Sequence, residues 1–158
     1  MLKITAFVYG TLKRGYWNHQ RFCDGALSIN KATVRGRLYE LPSGIPVLEV
    51  PPCDIISAGT GDIAHDLSIQ DKVMEAPDSL GHDSGWWAIR GELMTFGDPV
   101  QRLQMIDSLE GFIPGSSCLY RRVLLRAYRQ NGAATAAWCY VLGISNADLR
   151  ALNRPEWR

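Results

Sequence analysis

The sequence predicts an α+β fold in which strands form a sheet that curls towards a barrel. Three observations predict it. Two strand-like segments, "ATVRGRLYEL" at Ala32–Leu41 and "WAIRGELMTF" at Trp87–Phe96, each carry a glycine mid-strand, where a bulge or a close approach bends a sheet. One segment, "DPVQRLQMIDSLEG", has helical apolar spacing with helix punctuation at both ends. Finally, Asn131-Gly132 separates two long strand-like runs, a hairpin signal.

In chain order, Lys3–Tyr9 is rich in strand formers and stops at Gly10. The bend that follows, Gly10-Thr11-Leu12 with Lys13 and Arg14 beyond it, either offers N–H groups to an anion or carbonyl oxygen, or is an ordinary turn. Trp17–Phe22 reads as a short helix, and Ile45–Val50 as a short strand after the first glycine strand. The later helix starts at Asp98-Pro99, a capping carboxylate followed by proline at the first helical position, and ends at Gly111. Val100, Leu103 and Ile106 mark its apolar face. "CLYRRVLLRAYRQ" and "AATAAWCYVLG" are the hairpin arms, Ser145 caps a short helix "NADLRAL", and "NRPEWR" reads as a loose end.

Residues 51–85 differ from their surroundings. They open on Pro51-Pro52, hold Gly59, Gly61, Gly81 and Gly85, and carry seven acids against Lys72. The remainder has 16 basic and nine acidic residues. The stretch reads as a loop-rich insertion with a short helix at Leu67–Glu75, a solvated excursion or a lid. At 158 residues, 46% hydrophobic and 21% charged, the whole chain, 1–158, reads as one globular domain. A net charge of +1 gives no nucleic-acid footprint. No apolar run reaches the roughly 18 residues of a membrane span. With no cleavage-site pattern in "MLKITAFVYG", a cytoplasmic protein is expected.

Glu110 is the candidate catalytic group. Seven residues after Leu103, it projects within about 20° of that apolar position, towards the domain interior. Burial and the negative pole of a helix end both favour its protonated form, as suits a general acid/base. The alternative is a surface Glu paired with Arg121 or Arg122. Asp107 reads as structural. The four cysteines contain no CxxC and read as reduced, mostly buried thiols; a Cys23–His19 nucleophile and a His65, His82, Asp83 metal site are weaker options. "GTLKRG" lacks the pattern of a phosphate-binding loop, and no Gly-x-Ser-x-Gly occurs.

In this order, "VYGTLKRG" with Asn18-His19, "GRLYEL", "RGELMTF", "MIDSLEG", "YRR" and "AWCYVLG" resemble the gamma-glutamylcyclotransferase-like superfamily, nearest to its gamma-glutamylamine cyclotransferase-like branch. The resemblance covers about two thirds of the chain, Lys3–Val50 and Trp87–Leu142. It implies a small mixed β-barrel with short flanking helices. It implies that Tyr9, Gly10, Thr11 and Leu12 line a cavity faced by Glu110, with Tyr120 beside it as a binding hydroxyl or a packing residue. The implied reaction releases 5-oxoproline from a small gamma-glutamyl compound, with no metal or other cofactor. Lys13 and Arg14 then stay solvated. Two other functions fit the same residues: a non-catalytic module binding a small ligand, and a biosynthetic enzyme acting on a carrier-bound gamma-glutamyl group.

Overall fold

The computed structural model describes residues 2–73 and 85–158. Eight strands and three α-helices are present among them: β1 (Ile4–Val8), α1 (His19–Cys23), β2 (Ser28–Glu40), β3 (Pro46–Glu49), β4 (Ile55–Ala58), α2 (Ile63–Lys72), β5 (Trp87–Phe96), α3 (Pro99–Glu110), β6 (Tyr120–Arg129), β7 (Ala134–Leu142) and β8 (Arg150–Ala151). Strands β2, β5, β1, β7 and β6 are hydrogen-bonded in that order, and β6 returns to β2 through Ala32–Arg129 and Thr33–Tyr128. The result is a closed five-stranded barrel. It is mixed because β1 and β7 run parallel, with Ala6 opposite Trp138, while the other pairs are antiparallel. Strands β3 and β8 pair with the far half of β2, and β4 extends β6.

The apolar run of β1 follows from burial on both of its faces. Phe7 and Tyr9 join Val34, Leu38, Ile89, Leu93, Val123 and Cys139 in the cluster that fills the barrel. Ile4, Ala6 and Val8 join Met94, Phe96 and Trp138 in a second cluster, closed by Leu103 and Ile106 of α3 and Leu67 of α2. The mid-strand glycines answer to space. A Cβ at Gly91 would lie 2.4 Å from the Val8 carbonyl and 2.6 Å from the Phe7 ring. Because backbone cannot yield as a side chain can, Gly91→Ala should cost about 1–3 kcal/mol. Urea unfolding measures this; an unchanged midpoint would show that the strands separate freely.

Several segments differ from their sequence reading. The first helix begins two residues late, at His19. Asp98 makes no capping bond; its carboxylate takes Arg102, whose guanidinium also donates to the Phe22 and Asp24 carbonyls and so joins α1 to α3. The hairpin is tied by Gly132 N–H to Arg129 O and by Arg129 N–H to Ala133 O, with positive φ at Gly132 alone of the Asn-Gly pair. That is a three-residue loop rather than a tight two-residue turn, which needs positive φ twice. No helix forms after Ser145. Its hydroxyl accepts from Ala147 N–H, and β8 instead pairs with β2. The tail is not loose: Trp157 is fully buried, donates to Gly44 O, and packs against Tyr16 and Trp17.

The acidic stretch is also more ordered than a solvated excursion in its described part. Its helix starts at Ile63, capped by Asp62, whose side chain accepts from His65 N–H. Asp54 and Asp66 are buried and paired, with Arg35 at 2.7 Å and Arg122 at 3.0 Å. Residues 74–84, which include His82 and Asp83, lie outside the described residues.

Candidate active site

The bend after β1 is held from three sides. Lys13 N–H donates to Gly10 O and closes a turn. Asn18 Nδ2 donates to Thr11 Oγ1 at 2.9 Å, and Asn18 N–H to Thr11 O. His19 Nδ1 donates to Leu12 O at 2.9 Å. The ring of His19 thus anchors the bend, and burial pushes the Cys23 thiol up to about 12, so the pair is no thiolate nucleophile. Gly10 is needed for packing: a Cβ there would sit 2.8 Å from Pro46 Cγ. The N–H groups of Gly10, Thr11 and Leu12 find no acceptor among the described residues.

Opposite the bend stands the end of α3. Gly111 takes the left-handed conformation at φ 68° and its N–H bonds back to Asp107 O and Ser108 O. Leu103 and Ile106 are buried, and two turns beyond Leu103 the Glu110 side chain enters a pocket lined by Phe7, Tyr9, Gly10, Thr11, Leu12 and Tyr120, among others. The structure therefore brings all six sequence-predicted residues to one place. Room for solvent there is about 40 Å³, enough for a few waters. Glu110 has no hydrogen bond or ion pair among the described residues. Arg121 donates to Leu142 O, while Arg122 is taken by Asp66 and Asp107. Burial alone pushes the Glu110 carboxyl up from 4.5 to about 7.

The tyrosines play different parts. Tyr9 lines the pocket, yet its hydroxyl donates to Tyr140 O at 2.7 Å and accepts from Leu48 N–H. Tyr120 donates to Pro46 O at 2.7 Å, leaving only its lone pairs for a ligand. Tyr140 also lines the pocket and was missed by sequence reasoning. The signal was available: in β7, Trp138 and Tyr140 share one face at period two. Its hydroxyl donates to Asp107 Oδ1. Burial holds all three phenols above their ordinary pKa, so they remain neutral.

Asp107 is structural, as its place on α3 suggested. It takes Arg122 Nε at 2.8 Å as well as Tyr140, and Arg122 reaches on to Asp66 of α2. The guanidinium lies 4.8 Å from the Trp138 ring centroid and 5.2 Å from that of Phe112. This network fixes α3, and with it Glu110, against the barrel wall. Lys13 and Arg14 are not free in solvent: Lys13 is buried and donates to Arg158 O, and Arg14 pairs with Glu92 at 3.0 Å. Among the described residues no cluster of three or more His, Cys, Asp or Glu side chains could hold a metal. No helix there is long and apolar enough to cross a membrane.

The same fold occurs in solved structures. YkqA from Bacillus subtilis superposes with a TM-score of 0.58 at 16% identity, over 98% of this chain and 39% of that one. The protein PH0828 from Pyrococcus horikoshii gives 0.53 at 15%, over 98% and 89%. A protein from Arabidopsis thaliana gives 0.55 at 18%, over 94% and 73%. At these identities the likeness concerns the fold. This chain spans well under half of the Bacillus chain. No curated protein matches the chain. The family model described as "Gamma-glutamyl cyclotransferase, AIG2-like" matches residues 6–63 and 64–158. With nearly its whole length matched by that family model, the chain belongs to the gamma-glutamyl cyclotransferase, AIG2-like family.

Proposed function

We propose that the protein releases 5-oxoproline from a small gamma-glutamyl amine or related compound, with Glu110 as general acid/base. One observation carries the reading: a half-buried carboxyl without a partner among the described residues shares a small pocket with the bend residues Gly10, Thr11 and Leu12, whose N–H groups also find no acceptor there. The N–H groups of Gly10, Thr11 and Leu12 hold oxygens of the glutamyl moiety and steady negative charge as it develops on the gamma-carbonyl. Glu110 takes a proton from the α-amino group. The freed nitrogen attacks the gamma-carbon, closing a five-membered ring, and the bond to the leaving amine breaks. The carboxyl returns its proton to that amine. Nucleophile and electrophile belong to one molecule, so holding them in register supplies much of the rate. Tyr140 and Tyr120 act as neutral walls.

The pH profile tests this. The base must be ionised, so kcat/KM on gamma-glutamyl amines should rise with pH through about 7. An acid limb with its inflection near 4.5 would remove Glu110 from the role. Binding of these compounds without 5-oxoproline at any pH would instead favour a non-catalytic module.

A further inference from the structure

A second cavity, lined in part by Lys13, Arg14 and Tyr16 just after the bend, shares no lining residue with the Glu110 pocket. It is much larger, about 720 Å³, within the range of small-molecule sites. Lys13, Arg14, Lys31, Arg90, Arg129 and Arg158 line it, against Glu92 and Glu156. The two carboxylates are already engaged. Glu92 pairs with Arg14, and Glu156 lies 3.8 Å from both Lys13 and Arg90. Among the described residues Lys31 has no ion pair, and the Arg129 side chain donates to the Thr135 hydroxyl.

Barrel closure is what gathers these cations. Arg129 of β6 lies opposite Ala32 of β2, and Arg90 of β5 lies opposite Thr33 on the other edge of β2. Paired residues share a face, so Lys31 and Arg90 are on the outer face with Thr33, while Arg129 is on the face of the buried Ala32, where β6 ends. Neighbouring strands are about 4.8 Å apart, so the three backbone positions fall within roughly 10 Å of one another. A concave surface with an excess of one sign concentrates counter-ions. We propose that this groove binds a small polyanion carrying two or more phosphate or carboxylate groups, one held by Lys31 and Arg90 and another by Arg129. A concave cavity of this size suits a small molecule better than a flat macromolecular surface. The proposal does not depend on the reaction at Glu110.

Calorimetric titration of the full chain with pyrophosphate and with citrate, at matched ionic strength, tests it and separates the two chemistries. Binding of at least one is expected, weakening as salt rises. Lys31→Ala/Arg129→Ala should weaken it about tenfold for each cation removed. Arg90→Ala, also at an exposed site, is a second probe. Arg21→Ala/Lys72→Ala removes the same charge outside the groove and should leave affinity unchanged. Absence of binding by both anions, or equal weakening in the two double variants, would overturn the proposal.

Discussion

Glu110→Gln should lower 5-oxoproline release by about 10²–10⁴-fold, the usual contribution of a positioned acid/base. The same variant should be more stable than the wild type above pH 7. The carboxyl is raised from 4.5 to about 7, so the folded state favours its neutral form. That contribution is complete below the unfolded value and lost as pH rises through about 7. Between these limits the folded state binds more protons than the unfolded one, so stability falls with rising pH. The shift corresponds to at most about 3 kcal/mol, and a pocket open to solvent reduces this to roughly 1–3 kcal/mol. Gln cannot ionise and escapes the loss. Urea unfolding at pH 5 and pH 8 should therefore show a gap between variant and wild type that widens with pH. A variant that keeps its turnover and shows the same stability difference at both pH values would mean that Glu110 neither transfers a proton nor carries a raised pKa.

Arg122→Met should destabilise the fold by about 3–5 kcal/mol, because Asp66, buried, and Asp107, half-buried, would be left as carboxylates without their cation. Asp66 is 1% exposed and Arg122 likewise. Met retains much of the aliphatic contact but loses the ion pairs and the stacking over Trp138 and Phe112. Making Asp66→Asn and Asp107→Asn in the same chain should recover a good part of the loss, since the penalty lies in the unpaired charge. Thermal unfolding of both variants checks this. A loss below about 1 kcal/mol in the single variant would place these carboxylates in contact with solvent. Tyr140 gives the network a functional readout. Its hydroxyl rests on Asp107 and its ring lines the pocket, so turnover should fall with Asp107→Asn while ligand-free stability changes less than in Arg122→Met.

The fold was legible where local chemistry sets the backbone. Glycine strands, the proline-started helix and its Gly111 stop follow from steric and capping rules that act over a few residues. Segments misread were those decided by distant partners. "NADLRAL" has helical composition, yet Arg150–Ala151 forms β8 because the far half of β2 presents an open edge. "NRPEWR" has no period at all, and Trp157 is buried because the loops around Tyr16 and Gly44 leave a place for its ring. Asp98 reads as a cap until Arg102 claims its carboxylate.

Sequence alone pointed Glu110 to the apolar face of its helix and put a bend at Gly10 after the first strand, because 3.6 residues per turn and the steric freedom of glycine need no partner. Only the tertiary structure decided that Glu110 lacks a counter-ion among the described residues, that Tyr140 joins its pocket, and that Lys31, Arg90 and Arg129 line one groove. Those facts depend on which strands become neighbours when the barrel closes, and contacts of that range are set by packing rather than by any local pattern.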